Sequence, residues 1–399
     1  MKILVFNCGS SSLKFELIEF APLREGARRL AQGKVDEIGP RARRTMSDDS
    51  GRKADESVPA PNHAAAALHA IAWLNSSQDG LTVDAVAHRV VHGGDSVTAP
   101  VIADEAAMQA LQDAARFAPL HNPPALETIR AVNKQLPGVP TVVVADTAFH
   151  RTMPLHSRTY AIPHELAARH GIHRFGFHGI GHAWMLERYS AISGIPREKL
   201  NLVTLQLGAG CSAAAIQEGR SIDTSMGLTP LEGLMMATRS GDIDPAIFSY
   251  LATTEQMSAE EVEGILNHQS GLAGVSKLSG DMRELENRSA HDENAELAIA
   301  MFCYRVRKYI GAYMAVLGRT DAIIFGAGIG EHSDRCRARI CAGLERLGII
   351  LDSDRNRAAI GREAIISADG SPVGVCVVPL DEELYIARAA AKLIGGDNA

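Results

Sequence analysis

The chain has 399 residues, a length that suggests two or three domains. Hydrophobic residues make up 46% and charged residues 22%, the proportions of an ordinary globular protein, which excludes a disordered chain or a small disulfide-stapled scaffold. The formal net charge of −7 argues against nucleic acid or an anionic membrane as a partner.

An apolar strand over residues 2–6 turns polar at Asn7, too soon for the core of a signal peptide. No apolar run approaches the ~18 residues of a membrane helix. The six cysteines (Cys8, Cys211, Cys303, Cys336, Cys341 and Cys376) are scattered and form no C-x-x-C pair, so they read as reduced thiols of a cytoplasmic protein. After the first strand comes a Gly-Ser turn, Asn7-Cys8-Gly9-Ser10-Ser11-Ser12. Phe15, Leu17 and Ile18 then lie between Lys14, Glu16 and Glu19 in a second strand.

Residues 36–62, rich in Arg, Asp, Ser and Pro, read as an exposed excursion. Residues 63–74 predict a helix with Ala67, Leu68, Ile71 and Leu74 on one face. A strand follows over 83–91, a helix over 106–117, and a buried strand at Val142-Val143-Val144. The opening design then recurs. A strand over 201–207 leads into the turn Gly208-Ala209-Gly210-Cys211-Ser212 and a strand over 213–216, which points to a duplicated domain. A long helix over 295–317, strands over 322–325 and 373–378, and a helix over 382–394 stopped by Gly395-Gly396 complete an α/β pattern.

Chemistry-bearing residues gather at strand ends, where α/β proteins bind ligands. The Asn7–Lys14 turn can surround a phosphate with N–H groups and hydroxyls, Lys14 adding charge. The other reading is a Ser-rich hairpin with a solvated Lys; it is no Walker A loop. In Ala87-His88-Arg89-Val90-Val91-His92-Gly93-Gly94, Arg89 either grips a carboxylate bidentately or makes a structural ion pair. His88 and His92 have no third metal ligand in sight. Asp146, ending its strand, can take a proton, orient a substrate or hold Mg²⁺, or serve as a helix N-cap or turn residue. The loop 174–182 offers His178 to stabilise transferring charge, with His182 a structural partner. His164-Glu165 does not continue to a zinc-protease motif, since residue 168 is Ala. Thr229, Pro230 and Glu232 read as a capping box of a short helix, which gives Glu232 a structural task. No such account covers Arg239, which suits a phosphoryl group in flight. The turn after Phe325, Gly326-Ala327-Gly328-Ile329-Gly330, followed by Glu331, is a weak nucleotide-binding signal. Asp381-Glu382-Glu383 opens the last helix either as caps or as a water-mediated Mg²⁺ site.

Together these stretches resemble the acetate kinase family, of the acetate and sugar kinase/Hsc70/actin superfamily, from Asn7 to Leu384. Residues 223–245 carry the resemblance most specifically, joined by 88–94, Leu120-His121-Asn122-Pro123-Pro124 and 146–150. The resemblance implies two α/β domains of duplicated ribonuclease H-like, actin-like topology around a cleft. Boundaries are expected at 1–150 and 151–379, with the last helix, 380–399, returning to the first domain. It implies a homodimer and reversible phosphoryl transfer from ATP to acetate, giving acetyl phosphate and ADP. Arg89, Arg239 and His178 would flank the phosphoryl group, and Asp146 would orient the reacting groups. Arg89, Val91, Leu120, Phe177 and Pro230 would bind the substrate. Asn7 and Glu382 would lie around Mg²⁺ or Mn²⁺. Lys14, Gln206, Leu207, Gly208, Ala209, Gly210, Asp281, Met282, Arg283, Gly328, Ile329, Gly330 and Glu331 would hold the nucleotide.

The chain departs from the family pattern at three places. Gln206-Leu207-Gly208-Ala209-Gly210 stands for His-Leu-Gly-Asn-Gly, Gly179-Ile180-Gly181-His182 for Gly-Thr-Ser-His, and Asp381 for Asn. These changes lie mainly around the nucleotide and predict a weakened ATP site. Rival readings are a propionate or butyrate kinase, a pyrophosphate-type donor, and a non-catalytic nucleotide-binding relative.

Overall fold

The computed structural model describes residues 1–9, 11–20, 26–76 and 80–395. They form two compact units, Met1–Phe149 with Asp381–Ala399, and His150–Leu380. Ser10, within the first turn, and the end of the chain past Gly395 lie outside the described residues.

The first unit is built on strands β1 (Lys2–Cys8), β2 (Leu13–Phe20), β3 (Ala27–Asp36), β4 (Gly39–Asp48), β5 (Lys53–Ala60), β6 (Ala85–Val90), β7 (Val101–Ile102) and β8 (Thr141–Ala145). They form one sheet in the order β5-β4-β3-β2-β1-β6-β8-β7. β1 runs antiparallel to β2 and parallel to β6, which is parallel to β8. Ile3, Leu4, Val5 and Phe6 have no exposed surface, because both faces of β1 are covered. Side chains alternate across the pleat. Leu4 and Phe6 join a core with Ile71, Leu126 and Ile129 from the helices His63–Asn75 and Asn122–Gln135. The last helix, Glu382–Gly395, packs on β1 and β6. Each fully buried Leu or Phe stabilises the unit by roughly 1.5–3 kcal/mol.

Residues 36–62 are largely exposed, as expected, but they are no loop: they carry β4 and β5, which extend the sheet beyond β3. The alternation is there, but charge disguises it. Val35, Ala42, Met46, Val58 and Ala60 face inward. The Arg43–Asp55 ion pair crosses between β4 and β5 on the opposite face, while Arg44 pairs with Glu56, directly opposite it in register, on the same face as Ala42 and Met46. The helix Asn122–Gln135, begun by Pro123-Pro124, was not among the expected elements. In the helix His63–Asn75 the inward face is His63, Ala66, Ala67, Ala70, Ile71, Trp73 and Leu74, and Leu68 turns outward.

The second unit repeats the plan with strands β9 (Leu202–Leu207), β10 (Cys211–Gln217), β11 (Arg220–Thr224), β12 (Ala322–Gly326), β13 (Ala364–Ile365) and β14 (Gly374–Val377). Their order is β11-β10-β9-β12-β14-β13. β9 pairs antiparallel with β10 and parallel with β12, which is parallel to β14. Both sheets therefore share a five-strand kernel: an antiparallel meander whose first strand continues into two parallel strands. This is the duplicated ribonuclease H-like, actin-like topology. The helix Glu293–Leu317 lies against β10, and the helix Gly179–Ser193 against β9. Among the described residues no helix is long and apolar enough to cross a membrane.

Candidate active site

In the first unit the polar residues meet where β1, β6 and β8 end. Asn7 pairs in register with Lys14 across the hairpin and with Arg89 on the parallel side. Arg89 donates Nε and Nη2 to the two carboxylate oxygens of Asp146, at 3.0 and 2.6 Å. Its Nη1 donates to Asn7 Oδ1 at 2.9 Å and stands 3.8 Å from Glu382 Oε2. The Asn7 amide donates in turn to Glu382 (3.3 Å) and Glu383 (3.0 Å). Asp146 is 1% exposed, so its charge depends on this bidentate partner. Burial works against the charge of Arg89, but Asp146 and Glu382 outweigh it and hold its pKa above the ordinary guanidinium value. Three N–H groups of Arg89 are thus engaged inside the protein.

His88, beside Arg89, is buried against the Phe6 ring, and burial pushes it down to about 3, so it is neutral. No group of three or more His, Cys, Asp or Glu able to hold a metal occurs among the described residues. The oxygens of Glu382 and Asn7 nevertheless suit Mg²⁺, a hard cation usually held by one or two carboxylates together with substrate phosphates.

In the second unit the β9–β10 turn is the focus. A Cβ on Gly210 would stand 3.3 Å from Arg239 Nη2 and 3.4 Å from His178 Cε1, so both side chains crowd this turn. Arg239 donates Nη1 to the Pro230 carbonyl at 2.7 Å. Among the described residues it pairs with no carboxylate. Burial lowers its pKa, opposed by the neighbouring Cys211. His178, at φ 60°, precedes the helix Gly179–Ser193, so the second half of the expected loop is helical. The Ser212 hydroxyl bridges His178 Nδ1 (2.9 Å) and His182 Nε2 (2.8 Å). With one hydrogen, it donates to one ring and accepts from the other. His182 also bonds Thr204, and burial keeps it neutral, the structural part expected of it.

Two of the departures noted above meet in space. A Cβ on Gly181 would lie 2.0 Å from Gln206 Oε1, so the Gln206 side chain fills the space a Ser at 181 would need. On the other side of the turn, Gly208 and Ala209 border a cavity of about 660 Å³. Asp281, Met282, Arg283, Gly328 and Ile329 line it as well, together with Glu286 and Ser333. Gln206, Leu207 and Gly330 are buried beneath, and the Glu331 carboxylate accepts from the Leu380 backbone. Arg283 is ion-paired with Asp281 at 2.6 Å on the cavity rim. Of the expected acyl-pocket residues, Val91 and Leu120 belong to the first unit and Phe177 and Pro230 to the second.

The capping-box reading of residues 229–232 does not hold, because no helix forms there. The Glu232 carboxylate is drawn instead to Arg174 and Tyr160, at 2.5 Å each. Arg174, Tyr160 and Glu286 carry no motif that would have singled them out. The same is true of Arg337, which has no exposed surface and donates to the Gly330, Glu331, Asn356 and Ala359 carbonyls, fixing the turn after β12.

Residues 2–388 match the family model described as Acetokinase family. The acetate kinase of Solibacter usitatus is 46% identical over 410 residues, covering 100% of this chain and 99% of that protein. The crystal structure of Porphyromonas gingivalis acetate kinase superposes with a TM-score of 0.91 at 38% identity, covering 98% and 99% of the two chains. A propionate kinase from Francisella tularensis superposes with a TM-score of 0.89 at 37% identity, covering 97% and 98%.

Proposed function

We propose that this chain, which belongs to the acetokinase family, transfers the γ-phosphoryl group of ATP directly and in line to acetate, giving acetyl phosphate and ADP reversibly. One observation carries this reading: the turn Gly208-Ala209-Gly210 has a nucleoside-sized cavity on one side and Arg239 with His178 on the other. A donor bound in that cavity would present its phosphates to a half-buried cation that pairs with no carboxylate among the described residues. Acetate is ionised at neutral pH and needs no general base. What opposes the reaction is charge, since two anions must approach and a third builds up in transit. Arg239 and His178 would stabilise the phosphoryl oxygens. Arg89 would steer the carboxylate, with Asp146 fixing the plane of its guanidinium. Val91, Leu120, Phe177 and Pro230 would surround the acyl methyl. Glu382 and Asn7 would hold Mg²⁺, which neutralises phosphate charge when bound, and Lys14 would add to that field.

Trapping acetyl phosphate as its hydroxamate tests the reading. Product is expected with acetate, ATP and Mg²⁺. Product with pyrophosphate but not ATP would overturn the donor, and no product with any donor would favour a non-catalytic binder. Propionate is the second reading, motivated by the Francisella propionate kinase. One methylene is worth only ~1–3 kcal/mol of discrimination, so kcat/KM for acetate, propionate and butyrate decides. The six buried free thiols support a reducing, cytoplasmic setting. Leu297, Met301 and Tyr304, exposed along one helix, support a homodimer, which sedimentation would check.

A further inference from the structure

The guanidinium of Arg239 has one fixed end and one working end. Nη1 is tied to the Pro230 carbonyl, while Nη2 faces Gly210 and His178. Where Nη2 points therefore depends on where the Pro230 carbonyl is held. Pro230 lies in a stretch without regular structure, residues 225–233, which has no ladder to fix it. Such a segment needs side chains to satisfy its backbone.

Arg174 supplies them. Its Nη1 donates to three consecutive carbonyls, Thr224 (3.0 Å), Ser225 (3.3 Å) and Met226 (3.1 Å). Its Nη2 donates to Glu232 Oε1 at 2.5 Å. The Tyr160 hydroxyl donates to Glu232 Oε2 at 2.5 Å and accepts from the Leu228 N–H at 2.8 Å. The stretch thus wraps round one arginine and is closed by one carboxylate two residues past Pro230. The close approach requires glycine at 227, where a Cβ would lie 1.8 Å from Glu232 Oε2. Beyond it, Asp242 Oδ1 accepts from the Gly233 N–H at 2.8 Å, and Asp242 Oδ2 accepts from Tyr309 at 2.7 Å, which pins the far end.

We propose that Arg174, Tyr160 and Glu232 form a positioning triad that holds the Pro230 carbonyl and through it aims the Arg239 guanidinium at the transferring phosphoryl group. The proposal rests on the phosphoryl-stabilising role given to Arg239 above. None of the three touches substrate: they set the geometry of a group that does. A displacement of about 1 Å in such a group costs on the order of 10²-fold in rate. Glu232→Gln keeps the size and one acceptor oxygen but loses the charge that draws in Arg174. Tyr160→Phe removes a single hydroxyl. Arg174→Lys keeps a cation for Glu232 but cannot serve three carbonyls and a carboxylate together.

The test measures kcat and KM for both substrates, thermal unfolding, and inhibition by ADP with aluminium fluoride and acetate, which mimics the planar phosphoryl group. Glu232→Gln is expected to lower kcat roughly 10–100-fold, and Tyr160→Phe about 3–10-fold, with KM for either substrate moving less than about threefold. Affinity for the aluminium fluoride complex should fall in parallel with kcat. Arg174→Lys should fall between wild type and Glu232→Gln. A melting temperature that falls while kcat and aluminium fluoride inhibition stay at wild-type values would overturn the proposal and leave the triad a purely structural brace. Arg239→Ala is the control. If it is inactive while Glu232→Gln and Tyr160→Phe are normal, positioning fails and the reading of Arg239 stands. If Arg239→Ala itself keeps near-normal kcat, the role of Arg239 is wrong and the triad's purpose falls with it.

Discussion

Arg89 and Arg239 are both half-buried arginines at a strand-end site, held in opposite ways. Arg89 is gripped bidentately by Asp146, touches Asn7, and has Glu382 within 3.8 Å. Arg239 is held by one backbone carbonyl and, among the described residues, by no carboxylate. The first site therefore has an anionic balance and the second a cationic one, although the sheets beneath them share one topology. A duplicated scaffold carries opposite local charge, and on the reading proposed above opposite charge would sort the ligands, a metal cation to the first and a phosphate anion to the second.

The largest way to test this contrast is to delete the second cation. Arg239→Ala should lower kcat by about 10³-fold or more while leaving the melting temperature unchanged or higher, because removing a half-buried charge that pairs with no carboxylate among the described residues removes its desolvation cost. Initial-rate kinetics and calorimetry check both halves. Arg89→Ala should behave differently, losing activity and also ~3–5 kcal/mol of stability, since the buried Asp146 carboxylate would lose its bidentate cation. Urea unfolding reads this. Equal stability losses in the two variants would erase the contrast. Asp146→Ala leaves Arg89 with Asn7 and the more distant Glu382 only, and should destabilise alongside its loss of kcat; near-normal kcat would remove Asp146 from the mechanism.

Smaller effects sharpen the phosphate side. Gly181→Ser should cost ~1–3 kcal/mol by overpacking against Gln206, and adding Gln206→His should recover part of it. Additive melting shifts would show that the two positions are independent. Ala209→Asn, which restores an amide at the cavity edge, should lower KM for ATP about 2–10-fold, the worth of one hydrogen bond. An unchanged KM would mean the amide reaches no phosphate.

How much of this was legible in the sequence depended on distance along the chain. The hairpins β1–β2 and β9–β10 could be read because apolar alternation broken by a Gly-Ser turn is a local signal. β3 to β5 could not, because Arg43, Arg44, Asp55 and Glu56 pair across strands and mimic the composition of a loop. Asp146 was legible as a polar residue ending a Val run. The task of Glu232 was misread because its partners lie 58 and 72 residues away, while a capping box needs only three. Arg174 and Arg337 were missed for the same reason: their work is to gather carbonyls that only the fold brings together.

The fit between Gly181 and Gln206 also makes the two positions unequal as sites of change. A side chain added at 181 meets Gln206 Oε1 at once, so the glutamine must shift before anything larger than glycine can be accommodated there. A shorter side chain at 206 meets no such obstacle, because it only vacates space that glycine leaves open. Tolerance at the helix position therefore depends on what stands at the end of the strand opposite it.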